Sequence, residues 1–265
     1  MPLVSAASSS TVRETFGATA YKYVPSGTSG QTVVVHTVDS GGKEVCNYSV
    51  LYDSSKHCAL WIAYTMDSDH YVQSGNRTDD YTFDPAIPQS AQPTLSSSYG
   101  EYTRGHLLAS ASRYFTKAAN QQTFYYTNIA PQSSGFNGGG AWNKIESREQ
   151  GKTLTLASNQ KLFVVTGCLF RSGYTTTTCK TDGKTVAVPT DFYKCYMLCT
   201  VGSDGKVTSA KGGAYLISHT SYSGEPASYA TSIDAIESMT GFDFFVNIAA
   251  DIDTASAESS TSSLL

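Results

Sequence analysis

The stretch that decides the fold begins Phe124-Tyr125-Tyr126-Thr127-Asn128, continues through Ser134-Gly135-Phe136-Asn137-Gly138-Gly139-Gly140 and ends Ala141-Trp142-Asn143-Lys144-Ile145-Glu146. Aromatic and β-branched residues predict a strand for the first part, three consecutive glycines predict a loop, and Trp142–Gly151 reads as a helix opened by that turn. Working outward, β-prone runs at Thr32–Val38, Tyr48–Tyr52, Leu60–Met66, Leu162–Phe170, Phe192–Cys199 and Ala214–Ser218 predict further strands. Ile233–Met239, closed by Thr240 and Gly241, predicts a second helix. No internal repeat and no linker-like break divides the chain, so the expectation is one α+β domain over residues 13–253 with an antiparallel-rich central sheet. Residues 1–12 and 254–265 are small and polar and are expected to be flexible tails.

Composition bounds the function. Of 265 residues, 40% are hydrophobic and only 15% charged, with 18 Tyr and 11 Phe, which excludes a disordered chain. The longest uncharged apolar stretches, such as Leu162–Leu169, fall far short of the ~20 residues that span a bilayer, so no membrane partner is expected. A net charge of −4 argues against a protein that coats nucleic acid. Yet residues 101–152 hold six cations (Arg104, Arg113, Lys117, Lys144, Arg148, Lys152) and three acids, a local surplus of +3. The bland reading of Lys117 and Lys152 is a solvated face. Six Cys, at positions 46, 58, 168, 179, 195 and 199, in a Ser-, Thr- and Gly-rich chain with little Lys predict an exported protein, secreted or periplasmic, with up to three disulfides. Six buried thiols are the alternative. The opening Met1-Pro2-Leu3-Val4-Ser5 lacks a cationic, apolar leader, so an exported form is expected to have lost its signal peptide already.

Five His are present. His36 lies in a strand pattern, His70 in an acidic loop, His57 beside Cys58 without a second zinc-spaced pair, and His219 at a strand end, so all four read as structural. His106 differs, because Arg104-Gly105-His106 is followed about 20 residues later by an apolar strand pattern ending in Asn128, then by a Gly-rich loop with Asn137 and a helix carrying Glu146. A histidine beside a hard cation held by an amide oxygen and a carboxylate can hydrolyse a phosphodiester: the metal polarises the phosphate and the imidazole takes a proton from water. An arginine fork neutralises the charge that builds on the phosphoryl oxygens.

These motifs resemble the DNA/RNA non-specific endonucleases, the ββα-metal family, whose usual signature Asp-Arg-Gly-His is here Thr103-Arg104-Gly105-His106. Asn128-Ile129-Ala130-Pro131-Gln132 and Phe136-Asn137 with Gly140–Glu146 are similar to the family's strand turn and metal-bearing helix. Weaker matches at Leu60–Tyr64, Phe83–Pro85, Val188–Lys194 and Thr240–Phe245 extend the resemblance over residues 45–250. The resemblance implies a Mg²⁺-dependent endonuclease, with Mn²⁺ as possible substitute, cutting DNA and RNA through their backbone phosphates. It implies His106 as general base, Asn137 as direct metal ligand, Glu146 as holder of a metal-bound water, Asn128 near base and metal, and Arg77 and Arg104 on phosphate. Three departures stand out. Thr103 replaces the acid, four residues instead of three separate Asn137 from Trp142, and Gln150 stands where an arginine is expected one turn after Glu146. The extra residue is expected to bulge the first turn, and Gln150 to weaken the phosphate clamp. The rival reading is a catalytically inactive surface module binding carbohydrate or nucleic acid, which the joint presence of His106, Asn137 and Glu146 opposes. The sequence leaves the oligomeric state unknown.

Overall fold

The computed structural model describes residues 30–220 and 223–265, so the tail expected at 1–12 lies outside the described residues. In chain order the elements are β1 (Gln31–Ser40), β2 (Lys43–Asp53), β3 (Cys58–Met66), β4 (Thr103–His106), α1 (Lys117–Gln122), β5 (Ile129–Gln132), α2 (Ser134–Asn137), α3 (Ala141–Thr153), β6 (Gln160–Leu169), β7 (Thr176–Thr178), β8 (Thr185–Ala187), β9 (Asp191–Val201), β10 (Val207–Ser218), β11 (Ala230–Thr231), α4 (Ile233–Thr240), α5 (Val246–Ala249) and α6 (Ala255–Glu258). A seven-stranded sheet runs β1-β2-β3-β6-β9-β10-β11, every neighbour antiparallel. β4 pairs with β5, and β7 with β8, outside that sheet.

Successive side chains of a strand point to opposite faces, and here both alternating sets are apolar, so the sheet is buried on both sides. Ile62, Tyr64 and Met66 of β3 face one layer with Val164, Tyr196, Phe136, Trp142 and Ile145. Trp61, Ala63, Val165, Cys195 and Met197 face the other with Ile233, Ile236, Phe244 and Ile248. The second layer is closed by α4, which starts where the Ser232 side chain accepts from Ala235 N and stops at Gly241 with φ of 73°. Among the described residues no helix is long and apolar enough to cross a membrane.

The first layer is held by buried polar groups. Lys194 Nζ of β9 lies 2.9 Å from the Glu149 carboxylate of α3 and 3.0 Å from the Tyr64 hydroxyl. Tyr64 and Tyr196 both donate to the same carboxylate. Nearby, the buried Arg113 guanidinium donates to the backbone carbonyls of Asn47, Thr65 and Ser112. These bonds satisfy charges that would otherwise be very costly to bury, and they pin α3 to the sheet.

Three expectations are corrected. Phe124–Asn128 is not a strand: Tyr126–Asn128 is a 3₁₀ turn and the strand begins at Ile129. The stretch 254–265 does not fray but forms α6 and packs, with Thr254 and Ala257 buried and Leu264 and Leu265 against the core. All six cysteines carry free thiols, so the disulfide framework gives way to the buried-thiol alternative. The Cys58 thiol donates to the Cys168 sulfur at 3.8 Å, a hydrogen bond and not a disulfide.

Candidate active site

β4, β5 and α3, with the single turn of α2 between strand and helix, form the expected ββα unit. The register pairs Thr103 with Gln132, Arg104 with Pro131, Gly105 with Ala130 and His106 with Ile129. Alternation puts Arg104 and His106 on one face of β4 and Thr103 and Gly105 on the other. Gly105 is required, because a Cβ there would collide with the Gln132 side chain.

His106 sits in an aromatic cage, edge-on to Phe124 at 5.0 Å and to Tyr81 at 5.9 Å between ring centroids. Its Nε2 is buried with no hydrogen-bond partner. Burial first, then the charges of Arg77 and Arg104, push its pKa down to about 3, so the ring is neutral at physiological pH. Arg104 stacks its guanidinium 3.7 Å over Tyr81 and donates to the Leu95 carbonyl. Arg77 lies 4.8 Å over Phe124 and is held by Asp79, Ser110 and Tyr81. Two oriented cations thus flank one neutral imidazole, an arrangement suited to a phosphodiester.

Asn128 lies beside the strand that carries His106, with its amide turned into the protein. Its Oδ1 accepts from Leu108 N, and its Nδ2 donates to the carbonyls of Leu108 and Thr123. The amide is consumed inside the protein, so Asn128 acts by clamping the backbone that leaves His106. Asn137 ends α2, where its Nδ2 donates to Thr103 Oγ1 at 3.1 Å. The Thr103 hydroxyl spends its only proton on the Gln132 carbonyl, 2.9 Å away, and therefore accepts from Asn137. That polarity leaves the Asn137 Oδ1 without a hydrogen bond among the described residues. The extra residue after Asn137 is absorbed between the two helices, with Gly139 at φ of 114°, instead of bulging α3. Glu146 lies on the α3 face that carries Trp142 and Gln150, and Gln150 donates to Ser112 Oγ, six residues past His106. Burial, with Lys194 opposing and Glu149 adding, raises the Glu146 pKa to about 7.

Among the described residues no three His, Cys, Asp or Glu gather into a metal cluster. The donors present fit a hard cation nonetheless: one amide oxygen at Asn137 and one poorly neutralised carboxylate at Glu146. Mg²⁺ favours oxygen, keeps several waters and takes few protein ligands.

Sequence reasoning missed three contributors. Tyr81 spaces Arg104 from His106; Ser110 orients Arg77. His219, read as a loop residue, accepts from Ser133 N and donates to the Pro189 carbonyl, fixing the residue that caps α2. Only its position at a strand end was visible in the sequence.

A profile of DNA/RNA non-specific endonucleases matches residues 29–251. A nuclease of Nostoc sp. is 28% identical over 235 residues, covering 85% of this chain and 81% of that protein. Mitochondrial endonuclease G of Bos taurus is 31% identical over 175 residues, 63% of this chain and 57% of its own length. A solved EndoG/EndoGI complex shares the fold, with a TM-score of 0.57 at 24% identity over 80% of this chain and 86% of that one. With its ββα unit, its caged histidine and this match over most of its length, the chain belongs to the DNA/RNA non-specific endonuclease family.

Proposed function

We propose that the protein is a Mg²⁺-dependent endonuclease, able to use Mn²⁺, that hydrolyses phosphodiester bonds of both DNA and RNA with little sequence preference. The supporting observation is the His106 ring caged by Tyr81 and Phe124, the two rings over which Arg104 and Arg77 lie. His106 accepts the proton of the attacking water. Arg77 and Arg104 bind the phosphate, and because they meet backbone and not base edges, sequence goes unread. Asn137 Oδ1 would hold the cation directly and Glu146 through water; when bound, the cation stabilises charge on the phosphoryl and leaving oxygens.

Supercoiled plasmid and total RNA, each with Mg²⁺ and with EDTA, test this. Cleavage of both is expected only with metal, and His106→Ala should lose about 10²–10⁴ in rate with an unchanged melting temperature. A variant as fast as wild type removes His106 from the base role; a wild type inactive with every divalent metal moves the protein to the binding-module reading.

For the compartment we infer export, on composition alone, while the free thiols pull toward a reducing compartment like that of the mitochondrial relatives. A thiol count on natively purified protein, denatured without reductant, decides: six free thiols remove the case for an oxidising compartment.

A further inference from the structure

Beside the proposed base lies a polar cavity of about 520 Å³ to which the chemistry above assigns nothing. Its wall includes Asn76, Arg77, Thr78, Asp80, Tyr114 and Lys117. Arg77 belongs to both places, since it closes this wall while its guanidinium covers Phe124, the ring that packs against His106. The cavity therefore adjoins the place where a scissile phosphate would rest. Lys117, the first residue of α1, is exposed and has no hydrogen-bond or ion-pair partner among the described residues. Asp80, the one acid in the wall, is engaged by the Gln121 amide at 2.8 Å. Thr78 Oγ1 is buried without a partner, although its residue is only half-buried. One unpaired cation and one oriented cation thus line a space large enough for a nucleotide.

Resting on the nuclease reading, we propose that this cavity is a second nucleotide subsite, which takes the sugar-phosphate unit next to the scissile phosphate. Lys117 meets the neighbouring phosphate as a point charge, and Arg77 spans the two phosphates. Lys117 is then part of the substrate track, not merely a solvated lysine. The subsite contributes binding without touching the reacting atoms, so it governs KM and salt sensitivity and not the chemical step.

The test is binding of a short, fluorescein-labelled single-stranded oligodeoxynucleotide, followed by anisotropy over a series of KCl concentrations in EDTA, where no cleavage occurs. Losing one phosphate contact should make the slope of log affinity against log salt shallower by about 0.7 in Lys117→Ala. Affinity at low salt should fall severalfold, and Lys117→Arg should restore both slope and affinity. Because Lys117 is exposed, these variants keep the fold, and an unchanged melting temperature checks it. Wild-type slope and affinity in Lys117→Ala overturns the subsite. A wild type that binds the oligonucleotide with the expected slope difference but cuts neither DNA nor RNA overturns the nuclease reading instead, so the two failures are distinguishable.

Discussion

The two faces of the central sheet are buried by different means. Behind it, α4, α5 and α6 cover Trp61, Phe163, Val165 and Met197 with Ile233, Phe244, Phe245 and Ile248, an interface made mostly of hydrocarbon. In front, below the site, the layer adds Lys194–Glu149, the buried Arg113 and a His36–Asp84 pair at 2.9 Å to its apolar contacts. Asp84 also accepts from Thr127, next to Asn128, so this pair fixes the turn that clamps the His106 backbone. Apolar contact is non-directional and tolerates small shifts, whereas a satisfied buried hydrogen bond has one geometry. The contrast teaches that the rear face supplies stability and the front face supplies position.

Two substitutions of similar cost would break that comparison. Phe244→Ala removes a fully buried ring from the rear and should cost about 3–5 kcal/mol of unfolding free energy, with the kcat of the folded fraction unchanged. Lys194→Met leaves the Glu149 charge buried and should cost about 3–5 kcal/mol as well. Adding Glu149→Leu should recover most of that stability, because an apolar pair replaces an ionic one, but the rate should stay low, since α3 carries Glu146. Chemical denaturation and kcat together decide, and a double variant with full rate would show that the front network serves stability alone.

A smaller effect would sharpen it. Thr103→Val is nearly isosteric but cannot accept from Asn137, so Mg²⁺ affinity measured by calorimetry should weaken about 10–100-fold, and Thr103→Ser should restore it. Equal affinity in the valine variant would remove Thr103 from the positioning of Asn137. The smallest effect belongs to the rear. Glu237 accepts from Phe244 N, yet burial, opposed by that bond and reinforced by Glu258, Asp243 and Asp234, raises its pKa to about 7. A carboxyl raised in the folded state stabilises the protein below its unfolded pKa near 4.5, and that contribution fades as pH climbs through 7. Glu237→Gln should therefore melt higher than wild type at pH 8 and equally at pH 4; a gain that does not depend on pH would refute the assignment.

Much of the sheet was legible because its signal is local. β1, β2, β3, β6, β9 and β10 contain β-branched and aromatic runs, α3 is opened by a Gly-rich turn and α4 is closed by Thr240 and Gly241. His106, Asn137 and Glu146 were visible as an ordered set. What was not legible depends on contacts distant in sequence. Phe124–Asn128 has strand propensity, but Thr127 bonded to Asp84 and Asn128 bonded to Leu108 bend it into a turn. Asn128 was placed at the chemistry by resemblance alone, and only its partners Leu108 and Thr123 show the amide used as a clamp. Tyr81 and His219 act through residues 25 and 86 positions away, for which one sequence offers no signal.

The C-terminal stretch, small and polar as it is, rounds the margin of the sheet. At Gly212 a side chain would strike the Ala257 carbonyl and Ile233 on the rear, and at Gly213 it would strike the Ser262 carbonyl and Leu264 on the front. Successive glycines on opposite faces are thus both covered by one passing segment, which Tyr215 fastens through Ser263 Oγ and Leu265 N. β11 pairs with only Ala214 and Tyr215, so β10 would otherwise present an open rim, the kind of surface on which a second molecule adds a strand and aggregation begins. Residues 257–265 thus cover that rim with the part of the sequence that looked most dispensable.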